Sequence, residues 1–107
     1  MKFARRRDVN ERAIIDALRA KGAAVAQLEG SGVPDLVVEY EGRLLLVEVK
    51  DINGTRARPI KGKHDDEDPR YRELTPAQVQ WWKRWTGIPP VIVRSVEDAL
   101  RALEVPF

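Results

Sequence analysis

At 107 residues the chain is long enough for one domain with a single core and too short for two. Its 43% hydrophobic and 34% charged residues are ordinary for a globular protein, with no run of about 18 apolar residues to span a membrane. It has no cysteine, which excludes disulfides, zinc–thiolate sites and thiol nucleophiles. The net charge is only +2, yet the cations are bunched: Lys2, Arg5, Arg6 and Arg7 near the N-terminus, and Arg56, Arg58, Lys61 and Lys63 in the middle. Such clusters suit phosphate contact. The basic first ten residues lack the apolar stretch of a signal peptide, so the expectation is an intracellular, cytoplasmic protein.

Residues 8–21 read as a helix. Asp8 or Asn10 can cap it, Ile14, Ile15 and Leu18 share a face, and Gly22 sits where a helix stops. Residues 23–28 are a short apolar stretch compatible with a strand, followed by a turn at Gly30, Ser31 and Gly32. Residues 36–40 and 43–50 are rich in β-formers and separated by Glu41-Gly42, so they read as a hairpin. Residues 51–73 dissolve into glycine, proline and charge, a long loop of the kind that is functional or disordered in a compact domain. Thr75 and Pro76 open a second helix that runs to about Trp85, ahead of Gly87 and Pro89-Pro90. Residues 91–93 form a last strand, and Ser95 caps a last helix with Ala99, Leu100 and Leu103 on its inner face. The predicted order, α-β-β-β-α-β-α, is an α/β domain. It has a mixed four-stranded sheet, a three-strand meander plus a strand returning after a helical crossover, flanked by helices.

The hairpin places the chemistry. If Glu41-Gly42 is a two-residue turn, Tyr40 faces Arg43, Val37 faces Leu46, Leu36 faces Val47, and Asp35 faces Glu48. Opposed side chains have Cβ atoms about 4.5–5.5 Å apart. Lys50, two residues beyond Glu48, points to the same face. Residues 44–49 are apolar on both faces except at Glu48, the mark of a strand buried on both sides. Two opposed carboxylates there repel and lose hydration, which raises at least one pKa unless something compensates. A divalent cation does so, since a hard ion such as Mg²⁺ accepts few protein oxygens together with waters and phosphates. Such an ion lowers the pKa of a bound water, and Lys50 can orient or deprotonate that water or neutralise developing charge. The plainer reading makes Glu48 and Lys50 edge-strand polar residues and Asp35 a turn residue after Pro34. For acid-x-lysine alone that reading wins; the cross-strand pairing tips the balance to a metal site.

Gly32-Val33-Pro34-Asp35-Leu36, followed by Val47-Glu48-Val49-Lys50, resembles the PD…ExK signature of the PD-(D/E)XK nuclease superfamily. The element order is similar to that superfamily's restriction-endonuclease-like core over nearly the whole chain. Within it the sequence looks most like the virus-type replication-repair nuclease (VRR-NUC) domains, with archaeal Holliday junction resolvases as near relatives. The resemblance implies Asp35, Glu48 and the Val49 carbonyl as ligands of Mg²⁺ or Mn²⁺, and Lys50 as the catalytic lysine. Glu11 of the first helix, spaced to share the inward side of Ile14, Ile15 and Leu18, and Gln78 of the second are implied in support, with Gln80 a weaker fit than Gln78. The long basic loop after Lys50 departs from the compact pattern and leaves the substrate open.

The expected activity is hydrolysis of DNA phosphodiester bonds, with branched DNA preferred because the relatives act on junctions and flaps. A homodimer through the second helix or Val105, Pro106 and Phe107 would supply two symmetric incisions. DNA contact is expected from Arg5, Arg6, Arg7, Arg56, Arg58, Lys61, Lys63 and, within its turn, Ser31. Ser31 is equally well a plain turn residue. Trp81, Trp82 and Trp85 could stack on bases, though core packing is the better reading for at least two of them. His64, the only histidine, sits in the loop, and the acidic run at 65–68 lacks the alternation of a calcium loop. The alternatives are a DNA-binding accessory domain that does not cut, a restriction-like endonuclease and an exonuclease.

Overall fold

A computed structural model gives the architecture and describes residues 9–50 and 74–104. The elements are α1 (Val9–Ala20), β1 (Ala24–Gln27), β2 (Leu36–Tyr40), β3 (Arg43–Val49), α2 (Pro76–Arg84), β4 (Val91–Val93) and α3 (Val96–Glu104). The four strands make one mixed sheet in the order β1-β2-β3-β4, antiparallel at the first two junctions and parallel at the last. This is the α/β arrangement expected from the sequence.

The β2–β3 register is the one counted above. Tyr40 pairs with Arg43, Val37 with Leu46 and Leu36 with Val47. The turn that sets it has φ of 51° at Glu41 and 81° at Gly42. Both central residues are left-handed, as a tight hairpin turn matching the strand twist requires.

Alternation along the strands then sorts residues onto two faces. On the inner face Leu36, Val38, Leu45, Val47 and Val93 pack against Ile14, Ile15 and Leu18 of α1 and Ala99 and Leu103 of α3. A smaller cluster, Leu74, Val79 and Trp82 with Trp81 and Ile92 against it, holds α2 to the other face. Beyond the reach of α2 that outer face is a shallow open trough lined by Ala24, Val25, Ala26, Val37, Glu39 and Leu44.

Helix ends are tied by local and distant groups. α1 closes with Gly22 N–H on the Arg19 carbonyl (3.0 Å) and Ala23 N–H on the Leu18 carbonyl (3.0 Å), the paired bonds of a Schellman stop. The Thr75 and Ser95 caps are present: Gln78 N–H donates to Thr75 Oγ1 (3.2 Å) and Asp98 N–H to Ser95 Oγ (3.0 Å). Asn10 is not a cap. It lies inside α1, and its Nδ2 donates to the carbonyls of Lys50 (3.2 Å) and Arg94 (3.0 Å). An amide with two donors bridges two parallel strand ends better than it caps, and it pins the start of α1 to the carboxyl ends of β3 and β4. Arg43 donates to the Leu103 carbonyl, joining the hairpin to α3. Arg19 Nη2 donates to the Val25 carbonyl (3.0 Å) on the edge strand. No helix of the described residues is long and apolar enough to cross a membrane.

Candidate functional site

Asp35 stands at the mouth of the hairpin, just before β2, behind buried Pro34. Its Oδ2 accepts the Val49 N–H at 2.8 Å, a side chain standing in for a backbone partner where the ladder ends. The ladder shows why this donor is free. Lys50 N–H already turns to β4, onto the Val93 carbonyl (2.9 Å), so Val49 N–H must turn to the β2 side. A strand residue's carbonyl points the same way as its own N–H. The Val49 carbonyl therefore faces the Asp35 side of the strand, as a ligand shared with Asp35 would need.

Glu48 lies on the same face, only 3% exposed, with Asp35 at 8%. Its Oε2 accepts Gln78 Nε2 at 2.7 Å and lies 3.6 Å from Lys50 Nζ. Its Oε1 is buried and has no hydrogen-bond partner. Burial, then the charge of Asp35, pushes the Glu48 carboxyl from 4.5 up to about 7, against the lowering pull of Lys50 and Gln78.

Gln78 links the cation to the acid. Its Oε1 accepts both Lys50 Nζ (3.1 Å) and the Thr75 backbone N–H (2.9 Å), while its Nε2 serves Glu48. The first turn of α2 is pressed onto the loop before Asp35: a Cβ at Gly32 would lie 2.3 Å from the Ala77 carbonyl oxygen. Gly32 also has φ of +78°, so no side chain fits there by space or by conformation.

Four of the expected residues, Asp35, Glu48, Lys50 and Gln78, thus meet at one end of the sheet, with the Val49 backbone among them. Gln80 is exposed and takes no part. Glu11 is buried, and its Oε2 accepts Gln27 Nε2 at 3.3 Å. Among the described residues no three acidic, histidine or cysteine side chains group to hold a metal, so Glu11 does not turn the Asp35–Glu48 pair into a triad. Two carboxylates and a carbonyl still fit Mg²⁺, which keeps several waters and takes one or two protein carboxylates. The orphaned Glu48 Oε1 is the atom that such an ion would satisfy.

Ser31 is exposed in its turn. Arg5, Arg6, Arg7, Arg56, Arg58, Lys61 and Lys63 lie outside the described residues, as do Lys2, Asp8, His64, the acidic run and residues 105–107. The tryptophans divide three ways. Trp82 is buried and Trp81 half-buried, whereas Trp85 is 42% exposed. Trp85 stacks on Trp81 (ring centroids 5.1 Å apart, 17° between planes), donates Nε1–H to the Ile88 carbonyl (2.8 Å), and has Gly87 against its ring. These contacts hold the Trp85 ring in place within the protein. Two roles were not foreseen from the residues alone, Asn10 as a clamp on Lys50 and Thr75 as a holder of Gln78. The T-x-x-Q pattern of a capping box was the available sign for the second. Comparison of the chain with protein-family models, with curated proteins and with solved structures finds no match.

Proposed function

We propose that the chain is a divalent-metal-dependent nuclease that hydrolyses DNA phosphodiester bonds, built on a restriction-endonuclease-like core. The observation that carries this reading is the Glu48 carboxylate: buried opposite a second acid, with one oxygen held by Gln78 and the other without a partner. A protein that only bound DNA would gain nothing from this arrangement, which costs desolvation and repulsion and draws phosphate no closer. Asp35, Glu48 and the Val49 carbonyl would hold Mg²⁺ or Mn²⁺, which supplies an activated water and charge neutralisation at phosphorus when bound.

The protein's own groups do the rest. Gln78 and Glu48 hold the Lys50 ammonium beside the carboxylates, where a fixed cation stabilises negative charge developing on a phosphate oxygen. Asn10 fixes the Lys50 main chain, so the ammonium swings on its side chain alone. The site sits at the carboxyl ends of the parallel pair β3 and β4, a usual location for ligands in such sheets. Branched DNA is the preferred substrate and a homodimer the preferred assembly, both on the strength of the signature around Asp35 and Glu48. The test is cleavage of linear, flapped and four-way DNA with and without Mg²⁺. Cleavage requiring Mg²⁺ is expected, strongest on branched forms. Tight Mn²⁺ binding with no cleavage of any form would replace the enzyme with an accessory domain.

A further inference from the structure

We propose that Thr75 is a positioning residue of the site, one that sets which way the Gln78 amide faces and thereby which Glu48 oxygen is left for a cation; this rests on the metal-site reading above. An amide side chain has two nearly isosteric ends, and only its partners decide between them. Here Oε1 receives two groups that can only donate, the Thr75 backbone N–H at 2.9 Å and the Lys50 ammonium at 3.1 Å. Turning the amide over would set its NH₂ against both donors and its oxygen against the Glu48 carboxylate. All three hydrogen bonds would become repulsive contacts.

The cap keeps this arrangement in place. Thr75 Oγ1 accepts the Gln78 N–H at 3.2 Å, closing a reciprocal capping box around the first turn of α2. The same Gln78 side chain that completes the box is the one that reaches Glu48 Oε2 at 2.7 Å. Helix termination and site geometry therefore share one side chain. Gly32 closes the other side, because its bare Cα lets the loop before Asp35 lie directly on the Ala77 carbonyl. If the first turn frays, Gln78 leaves its place between Lys50 and Glu48. Lys50 Nζ, now 3.6 Å from Glu48 Oε2, is then free to pair with the carboxylate directly and compete with a cation for it.

The experiment uses the full chain with Thr75→Val, which removes the accepting hydroxyl at similar volume, and Thr75→Ser, which keeps it. Arg101→Gly, at an exposed position of α3, is a control for plain helix destabilisation. Gln78 side-chain amide resonances, Mn²⁺ affinity by calorimetry, and kcat and KM for DNA cleavage are followed. Thr75→Val should shift the Gln78 amide resonances toward those of an exposed glutamine. It should also weaken Mn²⁺ affinity or lower kcat roughly 10–100-fold, the usual cost of losing a group that orients a metal ligand, with a smaller change in KM. Thr75→Ser should restore all of these, and Arg101→Gly should lower Tm while leaving them unchanged. Unmoved Gln78 resonances in Thr75→Val, no recovery in Thr75→Ser, or equal losses in Arg101→Gly would each overturn the assignment. If the resonances and Mn²⁺ affinity respond as expected but wild-type protein cuts no DNA, the positioning role stands and the nuclease reading falls.

Discussion

Strand β3 is one strand with two unlike faces, and its outer face is itself divided. Inward, Leu45 and Val47 are buried in the main apolar cluster. Outward, the normal order of burial is inverted: Leu44 is 58% exposed while Glu48, four residues on, is 3% exposed. The difference is the position of α2. It covers the charged end of the outer face and leaves the apolar end bare. Where a helix packs is usually decided by apolar area; here a cover over two acids is kept although an open leucine lies on the same face. On the nuclease reading proposed above, the inner face serves stability and the covered outer end chemistry, so substitutions on the two should fail in different assays.

The largest effect is expected at the covered end. Asp35→Ala and Glu48→Ala should each lower turnover by roughly a thousandfold or more, since metal-ion charge stabilisation is worth several kcal/mol of barrier, with weaker Mn²⁺ affinity in calorimetry. DNA binding should persist or tighten, because an anion facing phosphate is gone. Unchanged Mn²⁺ affinity in both variants would remove the ligand assignment. Lys50→Ala should cost on the order of 10²–10³ in kcat, mostly without change in KM or in metal affinity. If kcat scarcely moves, Lys50 serves only to balance Glu48.

On the inner face Leu45→Ala should destabilise by about 2–5 kcal/mol in denaturant unfolding, through lost burial and a cavity. Its kcat per folded molecule should be intact. pH adds a test that joins the two regions. Glu48 ionises in the unfolded chain near its ordinary 4.5 and in the folded protein near about 7, raised by burial first and Asp35 second. The folded state therefore holds this proton more tightly. The group's favourable contribution to stability is complete below 4.5 and is lost as pH rises through about 7. A bound cation favours the ionised form instead, so Mg²⁺ should raise Tm more at pH 8 than at pH 6. Equal increments at the two pH values would disconnect Glu48 from the ion. The smallest effect belongs to the bare end: Leu44→Ala should stay within about 0.5 kcal/mol of the parent, as exposed positions usually do. A large loss there would mean that the trough is covered in solution.

Much of this was readable in the residues because the decisive signals were local. Two residues of turn between two β-forming runs admitted one register, and that register brought Asp35 opposite Glu48. Thr75-Pro76 and Ser95 announced their helices for similarly short-range reasons. The failures were all long-range. Asn10 has the chemistry of a cap, and only the folded arrangement reveals strand ends at Lys50 and Arg94 that make better use of its two donors. Core packing was expected of at least two of the three tryptophans and holds for Trp82 and Trp81, but that Trp85 is the exposed one depends on where α2 runs out over the sheet, which no spacing encodes. Leu44 reads as core by its neighbours and is open because, among the described residues, no element packs on that face beyond α2. Glu11 shares the inward side of α1, and its bond to Gln27 depended on where β1 lay.

The arginine on the edge of the sheet has a consequence for assembly. Leu28 N–H pairs inward with the Asp35 carbonyl, so by alternation the Val25 carbonyl looks outward from β1, and Arg19 already occupies it. A second strand arriving at this margin would meet a guanidinium in the hydrogen-bonding row, whose displacement would leave a cation to be resolvated. Such a guard discourages the sheet from being extended by a neighbouring chain, the route by which open margins lead to fibres and swapped oligomers. At the β1 margin a two-fold partner is thereby steered away from continuing the sheet and toward a helix or a sheet face.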